Sequence, residues 1–192
     1  MARKPAAGTR ERILDAAAHL FDQRGVHAVG MQQIIDEAGC GKQLLYREFS
    51  GKDQLVVAYL ERSAEDWDRL VTGVCAAVQS PEERLVELVR AVRAMAPNAR
   101  GCPLRNTQAE FPDPDHPAHQ VSVKHFRRVR EQLRDLARRT SAANPERLGD
   151  RIMLIIDGVY VNGSTLGSTG AAEAAVEFAG DVVRAEIAAA VG

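Results

Sequence analysis

The sequence predicts an all-α protein of about nine helices, with a small three-helix head followed by a larger helical body. Three observations lead there. Apolar residues recur at helical spacing from Ile13 to Ile187. Glycine and proline punctuate the gaps between these stripes, at Gly25, Gly39, Gly41, Gly51, Pro81, Pro97 and Pro145. No stretch is rich in β-formers, and no segment repeats.

In chain order, residues 1–8 hold Pro5 and Gly8 and are expected to be irregular. Thr9 is placed to cap a first helix over residues 10–24, where Ile13, Leu14, Ala17, Leu20 and Phe21 make one stripe. Gly25 ends it. From Gly30 to Leu55 two short helices meet at a tight turn. Ile34, Ile35 and Ala38 are the apolar side of the first. Ala38-Gly39-Cys40-Gly41 breaks it, with Gly39 free to take the positive φ of a helix end. The second, residues 41–49, sets Leu45, Tyr46 and Phe49 on one face and leaves Lys42, Gln43 and Arg47 to point outward. Two helices joined by a short glycine-containing turn are the helix-turn-helix pattern, whose second helix enters a DNA major groove.

Ser50-Gly51 precedes a long helix from Lys52 to about Thr72, striped by Leu55, Val56, Tyr59, Leu60, Trp67, Leu70 and Val71. It starts in the head and ends in the body, so it links them mechanically. We divide the chain at this point, into 1–51 and 52–192. Pro81, followed by Glu82 and Glu83, opens a helix that runs to about Ala96. A loop over residues 97–101 and a short helix from Cys102-Pro103 to Glu110 follow. Residues 111–117 are dense in proline and form a second loop. From Ala118 to about Thr140, Phe126, Val129, Leu133 and Leu136 face inward. Lys124 and six arginines outnumber Glu131 and Asp135 on the outer face, which reads as a solvated surface with local ion pairs or, less simply, as attraction for an acidic ligand or for DNA. A helix over residues 146–167 is apolar nearly all round, with small residues from Gly163 to Gly167. A last helix spans Ala171 to Val191. These two helices are the candidates for a dimer-forming four-helix bundle, against the plainer alternative that they complete the monomer's own core.

Gly25-Val26-His27-Ala28, Ile34, Ala38-Gly39, Lys42, Leu45-Tyr46-Arg47, Phe49, Lys52 and Leu55 together resemble the N-terminal domain of the TetR family of transcriptional repressors, over roughly the first quarter of the chain. The resemblance implies that residues 41–49 are a recognition helix for an operator duplex. It also implies an all-helical C-terminal domain that dimerises and binds a small-molecule effector. Its DNA contacts would fall on Lys42, Gln43, Leu44, Tyr46, Arg47 and Lys52, with Gln32 from the preceding helix. Arginine and lysine suit guanine edges or phosphate, and glutamine pairs bidentately with adenine. Gly30 and Gly41 stand where the family usually carries hydroxyls, and Glu48 where histidine is common. A helix-turn-helix module that no longer binds DNA is therefore the rival reading.

The family architecture implies an effector pocket among the linking helix, the Pro81 helix and the Ala118 helix. Trp67, Met95, Phe111, Phe126 and Tyr160 are its candidate apolar walls, although an aromatic or methionine at helical spacing is more often plain core. Gly101-Cys102-Pro103-Leu104 resembles a segment shared by one subgroup of the family, and Asn106 and Glu110 on the same short helix are candidate polar contacts. Cys102 sits at a helix start, where the dipole favours thiolate, so an electrophile sensor is an alternative to a buried filler. Asp113, Asp115, His116, His119 and His125 make a loose set of metal-type ligands, for which a solvated loop is the simpler reading.

The bulk numbers close off other classes. A net charge of −1 with 27% charged and 45% hydrophobic residues describes an ordinary globular chain, not a basic nucleic-acid coat. Positive charge does gather at the start, in Arg3, Lys4, Arg10 and Arg12, as an arm for DNA or as a solubilising tail. Three scattered cysteines make neither a disulfide framework nor a metal motif and fit a reducing cytoplasm. The longest apolar run, Ile152 to Ile156, is too short to span a bilayer. No nucleophile–base pair or phosphate loop is present, so no catalytic residue, cofactor or metal is predicted.

Overall fold

The structure is a computed structural model that describes residues 8–95, 100–167 and 169–190. Within them lie α1 Thr9–Arg24, α2 Met31–Ala38, α3 Lys42–Glu48, α4 Lys52–Ala77, α5 Pro81–Met95, α6 Pro103–Glu110, α7 Pro117–Ala137, α8 Pro145–Leu166 and α9 Ala171–Ala188. The described residues contain no strand, which agrees with the all-α expectation. Arg3, Lys4 and the loop residues 97–99 of the sequence reading lie outside the described residues. No helix among those described is long and apolar enough to cross a membrane.

Most helix ends lie within a residue or two of the expected ones, but α4 runs five residues past Thr72 to Ala77 and α7 stops three short of Thr140 at Ala137. Thr9 is the first helical residue rather than the cap. Gly8 precedes it and donates its N–H to the Glu11 carboxylate at 3.3 Å. Asn144 does cap α8, accepting from the Arg147 N–H at 2.9 Å, with Pro145 in the first turn. Gly39 takes φ 58°, ψ 40° at the end of α2, so the N–H of Cys40 reaches the Ile35 carbonyl and the chain turns sharply into α3.

Two apolar cores form. Ile13, Leu20 and Phe21 of α1, Ile34 of α2, Leu45 and Phe49 around α3, and Leu55, Val56, Tyr59 and Leu60 of α4 make the first, with Leu104 and Ala118 reaching in from α6 and α7. Trp67 and Val74 of α4 join Leu85, Leu88 and Val92 of α5, Leu133 of α7, Ile152 and Ile156 of α8 and Val183 of α9 in the second. Each fully buried leucine or isoleucine contributes about 1.5–3 kcal/mol relative to exposure. The long helix thus belongs to both cores.

Helix α8 crosses α7 almost backbone to backbone. A Cβ on Gly149 would lie 2.8 Å from the Cα and N of Arg134. The same crossing carries ion pairs. Asp150 accepts from both Arg130 and Arg134 at 2.7–2.9 Å. Buried Glu186 of α9 accepts from Arg147 at 2.7 and 2.9 Å and from Arg151 at 2.6 Å. Arg138 bonds Glu131, Asp135 and Glu146. Much of the basic outer face of α7 is therefore committed to carboxylates, several of them on other helices. On α8 and α9, by contrast, Leu154, Val161, Leu166 and Phe178 are 57–70% exposed.

Gly149→Ala should force the α7–α8 crossing apart and cost about 1–3 kcal/mol, read as a lower urea midpoint with unchanged slope. Hydrogen bonds from arginine hold the carboxyls of Asp150 and Glu186 below their ordinary values of 3.8 and 4.5. Their stabilisation is complete above the ordinary carboxylate range and is lost as the pH falls toward the lower folded values. The urea midpoint should fall between ~pH 5 and ~pH 2, and Asp150→Asn should flatten that fall.

Candidate nucleic-acid interface and interior cavity

Helix α3 is held from beneath. Leu45 and Phe49 are fully buried, and the Arg10 guanidinium lies 4.3 Å over the outer side of the Phe49 ring. Arg12 donates to the Ala38 carbonyl at 3.1 Å and so secures the end of α2. These two arginines serve the head's own structure, and Arg3 and Lys4 of the same basic cluster lie outside the described residues. With its underside anchored, α3 presents Lys42, Gln43 and Arg47 to solvent, and Leu44 is half-buried. Tyr46 is 43% exposed, so its ring stands on the surface instead of joining the Leu45–Phe49 face; the Lys42 ammonium lies 6.0 Å from its centroid.

Arg47 pairs with neighbouring Glu48 at 3.1 Å on an open surface. An exposed pair of this kind is worth little, and a phosphate or guanine competes with it readily. Gln32 donates to Asp36 at 2.8 Å, and Gln33 accepts the Gly30 N–H at 2.8 Å, so Gln33 supplies the cap that a glycine cannot. Lys52 is half-buried beside Glu110 and Asp53. Burial pushes its pKa down while the two carboxylates oppose that.

The head joins the body through α6. Glu110 accepts the N–H groups of Val26 at 3.1 Å and His27 at 2.7 Å, and its own carbonyl accepts from His27 Nε2 at 2.8 Å. The carboxylate fits because Gly25 has no side chain: with φ 83°, it would place a Cβ 2.8 Å from Glu110 Oε1. Phe111 is stacked between His27 and His116, at 4.6 and 4.3 Å between ring centroids.

An interior cavity of about 190 Å³ lies below the head, between α1, α4, α6, α7 and α8. Trp67, Met95, Phe126 and Tyr160, four of the candidate walls, line it together with Cys102. Asn106 and Phe111 do not. The amide of Asn106 donates to the Arg100 carbonyl at 2.9 Å, and Phe111 packs at the head–body junction. Helix-end chemistry and stacking claim both residues before a ligand can. The sequence reading missed Asp22, Tyr59 and His125 as lining residues. His125 had a usable signal, because Ser122, His125 and Val129 continue the buried stripe of α7 at helical spacing.

Tyr59 donates its hydroxyl to Asp22, so one wall ties α4 directly to α1. Burial raises the pKa values of both groups. His125 is 7% exposed, and burial, then Arg128, pushes it down to about 4; the ring is neutral at pH 7 and its Nδ1 has no hydrogen-bond partner. Burial also pushes the Cys102 thiol up, overriding the helix N–H groups that pull it down. Burial thus favours the neutral thiol, against the thiolate that the electrophile-sensor alternative calls for. Among the metal-type residues, His116 caps α7 and His119 bonds the Phe111 carbonyl, so each points to a different partner. No group of three such residues that would hold a metal ion forms among the described residues.

Residues 13–59 match the family model described as bacterial regulatory proteins, tetR family. The transcriptional activator FasR of Mycolicibacterium smegmatis is 40% identical over 92 residues, covering 48% of this chain and 41% of that protein. A transcriptional regulator of Mycobacterium tuberculosis is 41% identical over 76 residues, 40% of this chain and 38% of its own length. The matched stretch thus spans about two-fifths of these relatives. The crystal structure of a TetR-family transcriptional regulator from Streptomyces coelicolor superposes with TM-score 0.88 at 27% identity, over 93% of this chain and 96% of that one. A second, from Streptomyces avermitilis, gives 0.78 at 29% identity, over 94% and 98%.

Removing the Glu110 carboxylate leaves two backbone donors without their partner. Glu110→Ala should loosen the head at a cost of about 1.5 kcal/mol, with faster amide exchange at Val26 and His27. Glu110→Gln, which keeps one accepting oxygen, should fall between the variant and the parent.

Proposed function

The chain belongs to the TetR family of bacterial regulatory proteins, and from that premise we propose that it is a cytoplasmic, ligand-responsive repressor that binds a pseudo-palindromic operator as a homodimer. Residues 1–51 are the DNA-binding domain in this reading, and residues 52–192 bind the effector and dimerise. The observation that carries it is α3: a short helix anchored by buried Leu45 and Phe49, with Lys42, Gln43 and Arg47 exposed along its outer side. Arg47 and Lys42 read guanine or hold phosphate, Gln43 reads adenine, and Leu44 and Tyr46 pack against the groove wall. Lys52 and Gln32 approach the sugar–phosphate backbone once they leave their present partners.

The dimer forms through α8 and α9. Leu154, Val161, Leu166 and Phe178 leave four large apolar side chains exposed on these two helices, as a surface awaiting a partner does. A two-fold contact there sets the distance between two copies of α3, and so the half-site spacing. The effector occupies the cavity between α1, α4 and α7. Because Tyr59 of that cavity is bonded to Asp22 of the head, a ligand that favours one position of α4 over another shifts α1 with it. A coupling of about 1–3 kcal/mol changes operator affinity roughly 5–150-fold. FasR is called an activator, so the sign of regulation is decided by a reporter fused to the chain's own operator, where this reading expects expression to rise when the gene is deleted.

A gel shift with duplex DNA from beside the chain's own gene tests the reading. Arg47→Ala should weaken binding roughly tenfold or more, as loss of a bidentate base contact does, while sedimentation still reports a dimer. Log affinity should fall with log salt concentration in the parent. Unchanged operator binding by the variant would remove α3 from the recognition role.

A further inference from the structure

The chemical class of the effector is written in the cavity's polar groups; this inference rests on the reading above that a small molecule binds there. Charges around the cavity are already closed off. Arg62 donates to Asp15 at 2.5 Å and to the Leu14 carbonyl at 3.2 Å. Asp157 takes both Arg105 hydrogen bonds, at 2.5 and 3.3 Å. Asp66 pairs with Arg69, and Asp22 receives the Tyr59 hydroxyl. An anionic ligand therefore finds no uncommitted cation in the wall, and a cationic one finds no uncommitted carboxylate.

Two polar groups remain open. No described residue hydrogen-bonds either ring nitrogen of His125, although the side chain is more than nine-tenths buried. The hydroxyl of Tyr160 likewise has no hydrogen-bond partner among the described residues, and it lines the same space. A neutral imidazole offers one N–H and one bare nitrogen, and a phenol both donates and accepts. The remaining surface is apolar and aromatic, chiefly Trp67, Phe126, Leu104 and Ile156. Size narrows the ligand further. An apolar cavity of about 150 Å³ takes up benzene, so about 190 Å³ accepts one substituted ring.

We propose that the effector is an uncharged, single-ring phenol or aromatic alcohol, whose ring packs against Trp67 and Phe126 while its hydroxyl bonds His125 and Tyr160. The hydroxyl donates to the bare imidazole nitrogen and accepts from Tyr160. A ring of the same shape without the hydroxyl makes neither hydrogen bond and leaves the buried His125 Nδ1 without a partner.

Trp67 is the chain's one tryptophan, so its emission reports occupancy directly. The full-length chain is titrated at neutral pH with p-cresol, toluene, benzoate and benzylammonium. We expect saturable quenching or shift with p-cresol, and binding about tenfold or more weaker with toluene, as one satisfied hydrogen bond to a buried site implies. Benzoate and benzylammonium bind no better than toluene. His125→Phe and Tyr160→Phe, each checked for helical content by circular dichroism, bring p-cresol toward the toluene level and leave toluene within about twofold. Equal binding of toluene and p-cresol, preference for either ion, or discrimination surviving in both variants overturns the proposal. Failure of p-cresol to bind, alongside normal operator binding, overturns the phenol class and leaves the regulator reading standing. Discriminating binding that leaves operator affinity unchanged does the reverse: the site keeps its chemistry and the effector reading falls.

Discussion

Tyr59 and Trp67 are two turns apart on one helix and sit in two different cores. Helix α4 has 26 residues, about 39 Å of continuous rod at 1.5 Å per residue. Its first two turns are buried among α1, α2 and α3, and its later turns among α5, α7 and α8. A helix of this kind does not bend cheaply between its two grips. Whatever moves the wall around Trp67 is therefore felt at Tyr59, and through the Tyr59–Asp22 bond at α1. The cavity occupies the space between the grips and is lined by residues of both cores.

A second connection runs alongside it. Glu110 at the end of α6 holds the backbone of Val26 and His27, and the Phe111 ring fills the gap between His27 and His116. The start of the same short helix contributes Cys102 and Leu104 to the cavity. Head and body thus meet at α4 and at α6, and the cavity touches both. Beyond it, Asp150 and Glu186 tie α7, α8 and α9 to one another with arginine hydrogen bonds.

The two candidate surfaces differ in how they hold charge. On α3 the pairs are local and exposed, as in Arg47 with Glu48. Such pairs cost little to exchange for a phosphate. Around the cavity Arg105 with Asp157 and Arg62 with Asp15 are long-range pairs, each with at least one partly buried partner, while Asp66 with Arg69 is local and exposed. Those neutralise the wall and leave hydrogen bonding to an uncharged imidazole and a phenol.

The helices, their order and the helix-turn-helix were legible in the sequence because each rests on spacing within a few residues: Leu45 with Phe49, Gly39 at a turn, Pro81 and Pro145 at helix starts. The anchored face of α3 and four of the cavity's lining residues followed from the same periodicity and from resemblance. Partners distant in sequence decided the rest. The acid that receives Arg130 and Arg134 is on α8, the backbone that occupies Glu110 lies 83 and 84 residues before it, and Asn106 turns to Arg100 instead of inward. A dipole argument predicted a low thiol pKa at Cys102, and burial by helices the local pattern does not register reversed it. Periodicity tells which face of a helix is buried. Only the packed tertiary structure tells which atoms lie against it, and with them which polar groups are left unpaired.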